Sequence, residues 1–153
     1  MFKTSRIAEI AIATVLIAGI AGASFAQDAA AVIASRQAFM QGVTRMSSAV
    51  STAAAAGDMT AAKAAAKTLD DGWKAFATQF PAGSDSAAGK TRAKAEIWSN
   101  ATGFKAEMDK ALAASAALVA ATNGTDKDAM ANAVSNVNGV CVSCHNDFRG
   151  PRG

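Results

Sequence analysis

The segment Asp126–Arg149, DKDAMANAVSNVNGVCVSCHNDFR, decides the architecture. Its residues Met130, Val134, Val137, Cys141, Cys144 and Phe148 follow one another at intervals of 4, 3, 4, 3 and 4, the period of one face of an α-helix. Asp126 stands where a helix N-cap belongs, and Gly150-Pro151 ends the run. The same period recurs upstream. Leu69, Trp73, Phe76 and Phe80 form an aromatic stripe on a helix expected over about 59–80, stopped by Pro81. Val32, Phe39, Val43, Met46 and Val50 mark a first helix over about 28–55, closed by Gly57-Asp58. Between Pro81 and Asp126, the residues Ile97, Ala101, Phe104, Met108, Leu112, Ser115 and Val119 share a face, with a break at Ser99–Gly103 that starts the main helix near Thr102.

Four amphipathic helices with two short links and one longer one predict an all-α, antiparallel up-down-up-down four-helix bundle. Composition agrees. Alanine is abundant, prolines number two and tyrosine is absent, which favours helix and disfavours sheet. A chain of 153 residues suits one domain.

The first residues read as a targeting segment. Lys3 and Arg6 form a basic start, Ile10–Ile20 an apolar run too short to span a bilayer comfortably, and Ser24-Phe25-Ala26 a small-x-small cleavage site. The expected division is therefore a signal peptide over 1–26 and a helical domain over 27–153. Removing Lys3, Arg6 and Glu9, a net charge of +1, takes the chain from +3 to +2. Such a near-balanced charge, without a basic stripe carrying interleaved aromatics, excludes a nucleic-acid binder and gives no reason for stable membrane insertion after cleavage.

Cys141-Val142-Ser143-Cys144-His145 is the one specific chemical motif. C-x-x-C-H reads as covalent attachment of a haem c. Two cysteines three apart on a helix share a face and can each form a thioether to one porphyrin, and His145 can then reach the iron. A disulfide between the two cysteines is the alternative in an oxidising compartment. A thioredoxin-like pair wants a βαβ context, and a zinc site wants a fourth ligand. Haem attachment also fits an exported, periplasmic destination.

At the end of a four-helix chain, Cys141–Arg149 resembles the class II cytochromes c, the cytochrome c′ and cytochrome c-556 family. Arg36-Gln37-Ala38-Phe39-Met40 is similar to that family's first-helix motif, and Phe80–Ser84 and Ala95–Ser99 to the segment before its third helix. The resemblance implies that Met40 stands at the sixth iron position. A methionine there as second axial ligand, together with His145, gives a low-spin iron and raises the potential. A methionine that only packs there leaves a five-coordinate, high-spin iron. Arg36 and Arg149 are implied neighbours of a propionate or of the proximal histidine. Trp73, Phe76, Trp98 and Phe104 are expected in the core or the pocket wall.

The expectation is thus a periplasmic monohaem one-electron carrier with His145/Met40 ligation, exchanging electrons with redox partner proteins and catalysing no reaction of its own. The alternative is a five-coordinate cytochrome c′ that binds nitric oxide or carbon monoxide. Class II cytochromes often dimerise through their first two helices, and the Ala-rich face of Ala53–Ala66 would permit a homodimer.

Overall fold

A computed structural model of the chain describes residues 20–151, with side chains from residue 28. The expected signal peptide falls mostly outside these described residues. Five helices are present: α1 (Ile20–Ala56), α2 (Met59–Ala77), the single-turn α3 (Glu96–Ser99), α4 (Ala101–Ala121) and α5 (Lys127–Phe148). The four long helices touch in a ring, α1 on α2, α2 on α4, α4 on α5 and α5 on α1. That is the antiparallel four-helix bundle the apolar spacing predicts.

Local chemistry sets most of the helix ends. Gly57 takes φ of 79°, and the bonds Asp58 N–H to Ala53 O (3.0 Å) and Gly57 N–H to Ala54 O (3.1 Å) close α1. This is the left-handed glycine stop that satisfies the last carbonyls. Asp58 then caps α2 by accepting from Ala61 N–H at 2.9 Å, Asn100 caps α4 through Gly103 N–H, and Asp126 caps α5 through Asp128 and Ala129 N–H.

Three boundaries differ from the sequence expectation. α1 begins at Ile20 rather than near 28, because alanines continue the helix upstream. α2 ends at Ala77 rather than Phe80: Thr78 Oγ1 bonds back to Ala75 O at 2.8 Å, and a residue before proline is pushed out of the helical region. Arg149, the last residue of the run that Gly150-Pro151 is expected to end, is instead the extended C-cap of α5 (φ −119°, ψ 126°).

The core runs the length of the bundle. Val50, Ala62, Ala66, Leu69 and Leu118 are fully buried, with Met130 and Val137 at 1% exposure. α5 presents the predicted face, whereas α4 turns slightly from it: Met108, Ala111, Ser115 and Leu118 are buried, and Leu112 and Val119 lie at the edge. An alanine such as Ala111 gives no sign in the sequence of which face it serves, so the stripe is drawn through larger neighbours.

Two buried acids lie between helices. Asp70 on α2 accepts from Ser115 Oγ of α4 at 2.7 Å and from Lys74 Nζ at 2.5 Å. Burial pushes its carboxyl upward, but those two hydrogen bonds and the lysine charge outweigh it and hold the group below the usual carboxylate range. Among the described residues, no helix is long and apolar enough to cross a membrane.

Candidate functional site

One end of the bundle opens into a cavity of about 620 Å³, within the size range of cofactor pockets. α1 contributes Arg36, Met40 and Val43, α2 Trp73 and Phe76, α4 Phe104 and Met108, and α5 Cys141, Cys144 and His145. Arg149 and the 91–93 segment complete the rim. All six candidate residues from the sequence, Arg36, Met40, Cys141, Cys144, His145 and Arg149, thus border one space.

Six rings join the four helices along this cavity. Phe39 contacts Trp73 and Phe76 at centroid distances of 5.2 Å each. Phe76 continues to Phe80 at 5.1 Å, Phe80 to Phe104 at 4.7 Å, and Phe104 to Phe148 at 5.3 Å. Most meet edge to face, the arrangement that ring quadrupoles favour. Trp98 stands outside the cavity wall; its indole N–H donates to the carbonyls of Phe80 and Pro81, both at 3.2 Å, and fixes the loop after α2.

Arg36 is only 4% exposed. Its terminal nitrogens donate to Ser84 Oγ at 3.2 Å and Ser84 O at 2.5 Å, and the guanidinium lies 4.7 Å from the Phe80 ring centroid. Burial lowers its pKa, while the serine and the ring face compensate the buried cation. Ser84, itself fully buried, gives no hint of this partnership in the sequence, because the contact spans 48 residues.

The outer wall is a short clasp. Lys94 N–H donates to Phe148 O at 3.1 Å and Gly150 N–H to Arg92 O at 2.7 Å, pairing the loop before α3 with the end of the chain. Arg92 adds Nε to Gly150 O and Pro151 O, both at 3.0 Å. The clasp brings Arg92 and Arg149 near His145. Burial, then the charges of Arg149 and Arg92, keep the His145 pKa below its ordinary value, so the imidazole is held in the neutral form that coordinates metals.

Cys141 and Cys144 are half-buried and not joined in a disulfide. Burial raises both thiols; for Cys144, Glu107, Cys141 and Asp147 add to it and push the pKa up to about 11. Glu107 is a residue the sequence reading missed. On α4, nearly buried, it accepts from Ser143 Oγ at 2.5 Å and from Lys110 Nζ. The lysine bond first, then the serine bond, hold its carboxyl below the usual range. It therefore ties α4 to the middle of the Cys-x-x-Cys segment.

These residues fit a haem. The cavity wall is largely aromatic and aliphatic, and two unpaired thiols and one imidazole border it together. Trp73 Nε1, buried on the same wall, has no hydrogen-bond partner in the protein. A buried indole N–H usually finds an acceptor, and the carboxylates of a porphyrin are acceptors of that kind.

Comparison with known proteins gives the same answer. Residues 31–149 match the family model described as Cytochrome C′. The chain is 33% identical over 147 residues to a cytochrome c′ of Rhodopseudomonas palustris, covering 92% of this chain and 97% of that one. A cytochrome c-556 of Agrobacterium fabrum is 39% identical over 92 residues, 60% of each chain. The first curated relatives are matched over roughly half of their own length, 39–60%. Among solved structures, the cytochrome c′ of Rubrivivax gelatinosus superposes with a TM-score of 0.69 at 30% identity, covering 77% of this chain and 94% of that one. A nitric oxide complex of a cytochrome c prime variant from Alcaligenes xylosoxidans shares the fold, with a TM-score of 0.72 at 21% identity, covering 81% and 97%.

The expectation of a low-spin electron carrier with His145/Met40 ligation is corrected by these relatives. The match that spans nearly the whole chain is a cytochrome c′, and the matched family model is that of cytochrome c′. The physical reason for the error is that a thioether serves equally as an iron ligand or as an apolar filler. Here Met40 packs against the core cluster.

Proposed function

The chain belongs to the cytochrome c′ family, and from that premise we propose that it is an exported monohaem protein whose iron has His145 as its one protein ligand and keeps a face open to nitric oxide or carbon monoxide. The observation that carries this is the character of the cavity wall around Met40. Met40, Val43, Trp73 and Phe76 make it apolar, and Met40 is engaged in core packing. Such a wall suits a small uncharged ligand and repels a polar substrate.

The haem, bound through thioethers to Cys141 and Cys144, supplies a redox-active iron and an affinity for diatomic gases. The chain's own residues do the rest. Neutral His145 offers its imidazole nitrogen. Glu107, through Ser143, holds the attachment segment against α4. Trp73 offers its unpartnered N–H to a porphyrin carboxylate. Arg149, at the rim, adds positive charge beside the histidine. The rings make the wall apolar, and Met40, packed against the core, would leave the iron of a bound haem to His145 alone. In this reading the protein acts as a binder of small gases. Redox partner proteins of the periplasm would exchange electrons with the bound haem, and Gln27 would be the first residue of the mature chain.

The test is the absorption spectrum of the purified holoprotein, ferric and ferrous, with and without carbon monoxide. Broad high-spin bands, carbon monoxide uptake without loss of a ligand, and the same kind of spectrum in Met40→Ala are expected. Sharp six-coordinate bands that vanish in Met40→Ala would overturn the proposal.

A further inference from the structure

Phe39 immediately precedes Met40 on α1, yet its ring is not part of the cavity wall. It lies on α2 at Gly72. A Cβ built at Gly72 would stand 2.4 Å from Phe39 Cε2 and 3.1 Å from Cδ2, a separation that no methyl group and ring can share. Glycine inside a helix weakens it relative to alanine, and α2 is otherwise rich in alanine. The missing side chain at position 72 is what opens a slot for the ring.

From that slot the ring meets the two aromatic residues that α2 does send into the cavity. Its centroid is 5.2 Å from Trp73 at an interplanar angle of 82°, and 5.2 Å from Phe76. Trp73 and Phe76 are themselves 5.6 Å apart at 87°. The three rings support one another, and only the outermost is held by a gap in the backbone of the opposing helix. Both inner rings are met from α1 by the ring of Phe39.

We infer that Gly72 and Phe39 form a buttress that fixes Trp73 and Phe76, and so sets how much room a small ligand finds beside Met40. Phe39 is a positioning residue, acting on the pocket through rings that it touches. This rests on the gas-binding reading above.

The two residues can be removed separately. Gly72→Ala evicts the ring by contact, and Phe39→Ala empties the slot without altering α2. In the double variant the added methyl occupies vacated space, so it folds even where Gly72→Ala alone does not. The measurement is the rate of carbon monoxide association with the ferrous holoprotein after flash photolysis, alongside denaturant unfolding of each variant. Each single variant is expected to bind about tenfold faster, of the order that the ring contacts of Phe39 with Trp73 and Phe76 are worth in rate, and the double variant no faster than Phe39→Ala, since both changes release the same wall. Variants that lose stability but bind at the wild-type rate would show ordinary packing and overturn the inference alone. A wild-type protein that takes up no carbon monoxide would overturn the gas-binding reading, and this inference with it.

Discussion

The two ends of the bundle use the same four helices and differ in what lies between them. At one end the second half of α1 and the first half of α2 meet the second half of α4 and the first half of α5. Val50, Ala54, Ala62, Ala66, Leu118, Met130 and Val137 are all buried there in one core cluster. At the other end rings replace the alanines, and a cavity of about 620 Å³ remains. Small residues let backbones approach and complete a core; large flat ones hold helices apart and frame a space. The lesson is a division of labour along one axis. The alanine end is packed by the protein's own side chains, and the aromatic end keeps a hollow of the size that a bound group occupies.

The contrast breaks most completely at the attachment residues. The double variant Cys141→Ala/Cys144→Ala is expected to lose covalent haem altogether, read as haem released by acid–acetone extraction, while its far-ultraviolet circular dichroism stays helical. Loss of helix along with haem would mean that the alanine end does not stand alone.

Next in size is Leu118→Ala at the full end. Truncating a fully buried leucine costs about 2–5 kcal/mol. Denaturant unfolding of the holoprotein should show that loss with the visible spectrum unchanged, and a shifted spectrum would show that the two ends are mechanically coupled.

The smallest expected effect sharpens the boundary between the ends. Ser115→Ala leaves an oxygen of buried Asp70 without its donor, a loss of about 1–3 kcal/mol near neutral pH. Because the folded Asp70 pKa lies below its unfolded value, its contribution is present above the unfolded pKa of about 4 and is lost as pH falls through the folded value. Wild-type stability should therefore drop on acidification below about pH 4 more steeply than that of Asp70→Asn. Parallel pH profiles for the two proteins would remove Asp70 from the account.

What the sequence made legible was whatever acts over a few residues. The caps Asp58 and Asp126 and the stop at Gly57 announce themselves because their hydrogen bonds span two to five positions, whereas Asn100 lay inside a stretch read only as a break. The Cys-x-x-Cys-His spacing is likewise local. Pairings across the fold left no such trace: Arg36 with Ser84, Glu107 with Ser143, and Asp70 with Ser115 join residues 36 to 48 apart. Ser115 sat in an apolar stripe, a sign that it needed a buried partner, yet nothing local pointed to Asp70. The extended conformation of Arg149 comes from pairing with Ala93, which no helical period can reveal. Met40 lines the cavity, and it is the low-spin reading built on it that the relatives overturn, since residue identity does not distinguish a ligand from a filler.

The clasp between residues 92–94 and 148–150 bears on how the chain is finished. All four long helices end at or before Phe148, yet the pocket's outer wall is tied by hydrogen bonds to Phe148, Gly150 and Pro151. A chain cut after residue 148 would keep every helix of the bundle and the bond to Phe148, and would lose the bonds between Arg92 and residues 150 and 151 beside His145. Residues 149–151 add no helix, yet the bridge of Arg149 with Ala93 and the bonds of Gly150 and Pro151 to Arg92 tie the wall beside His145.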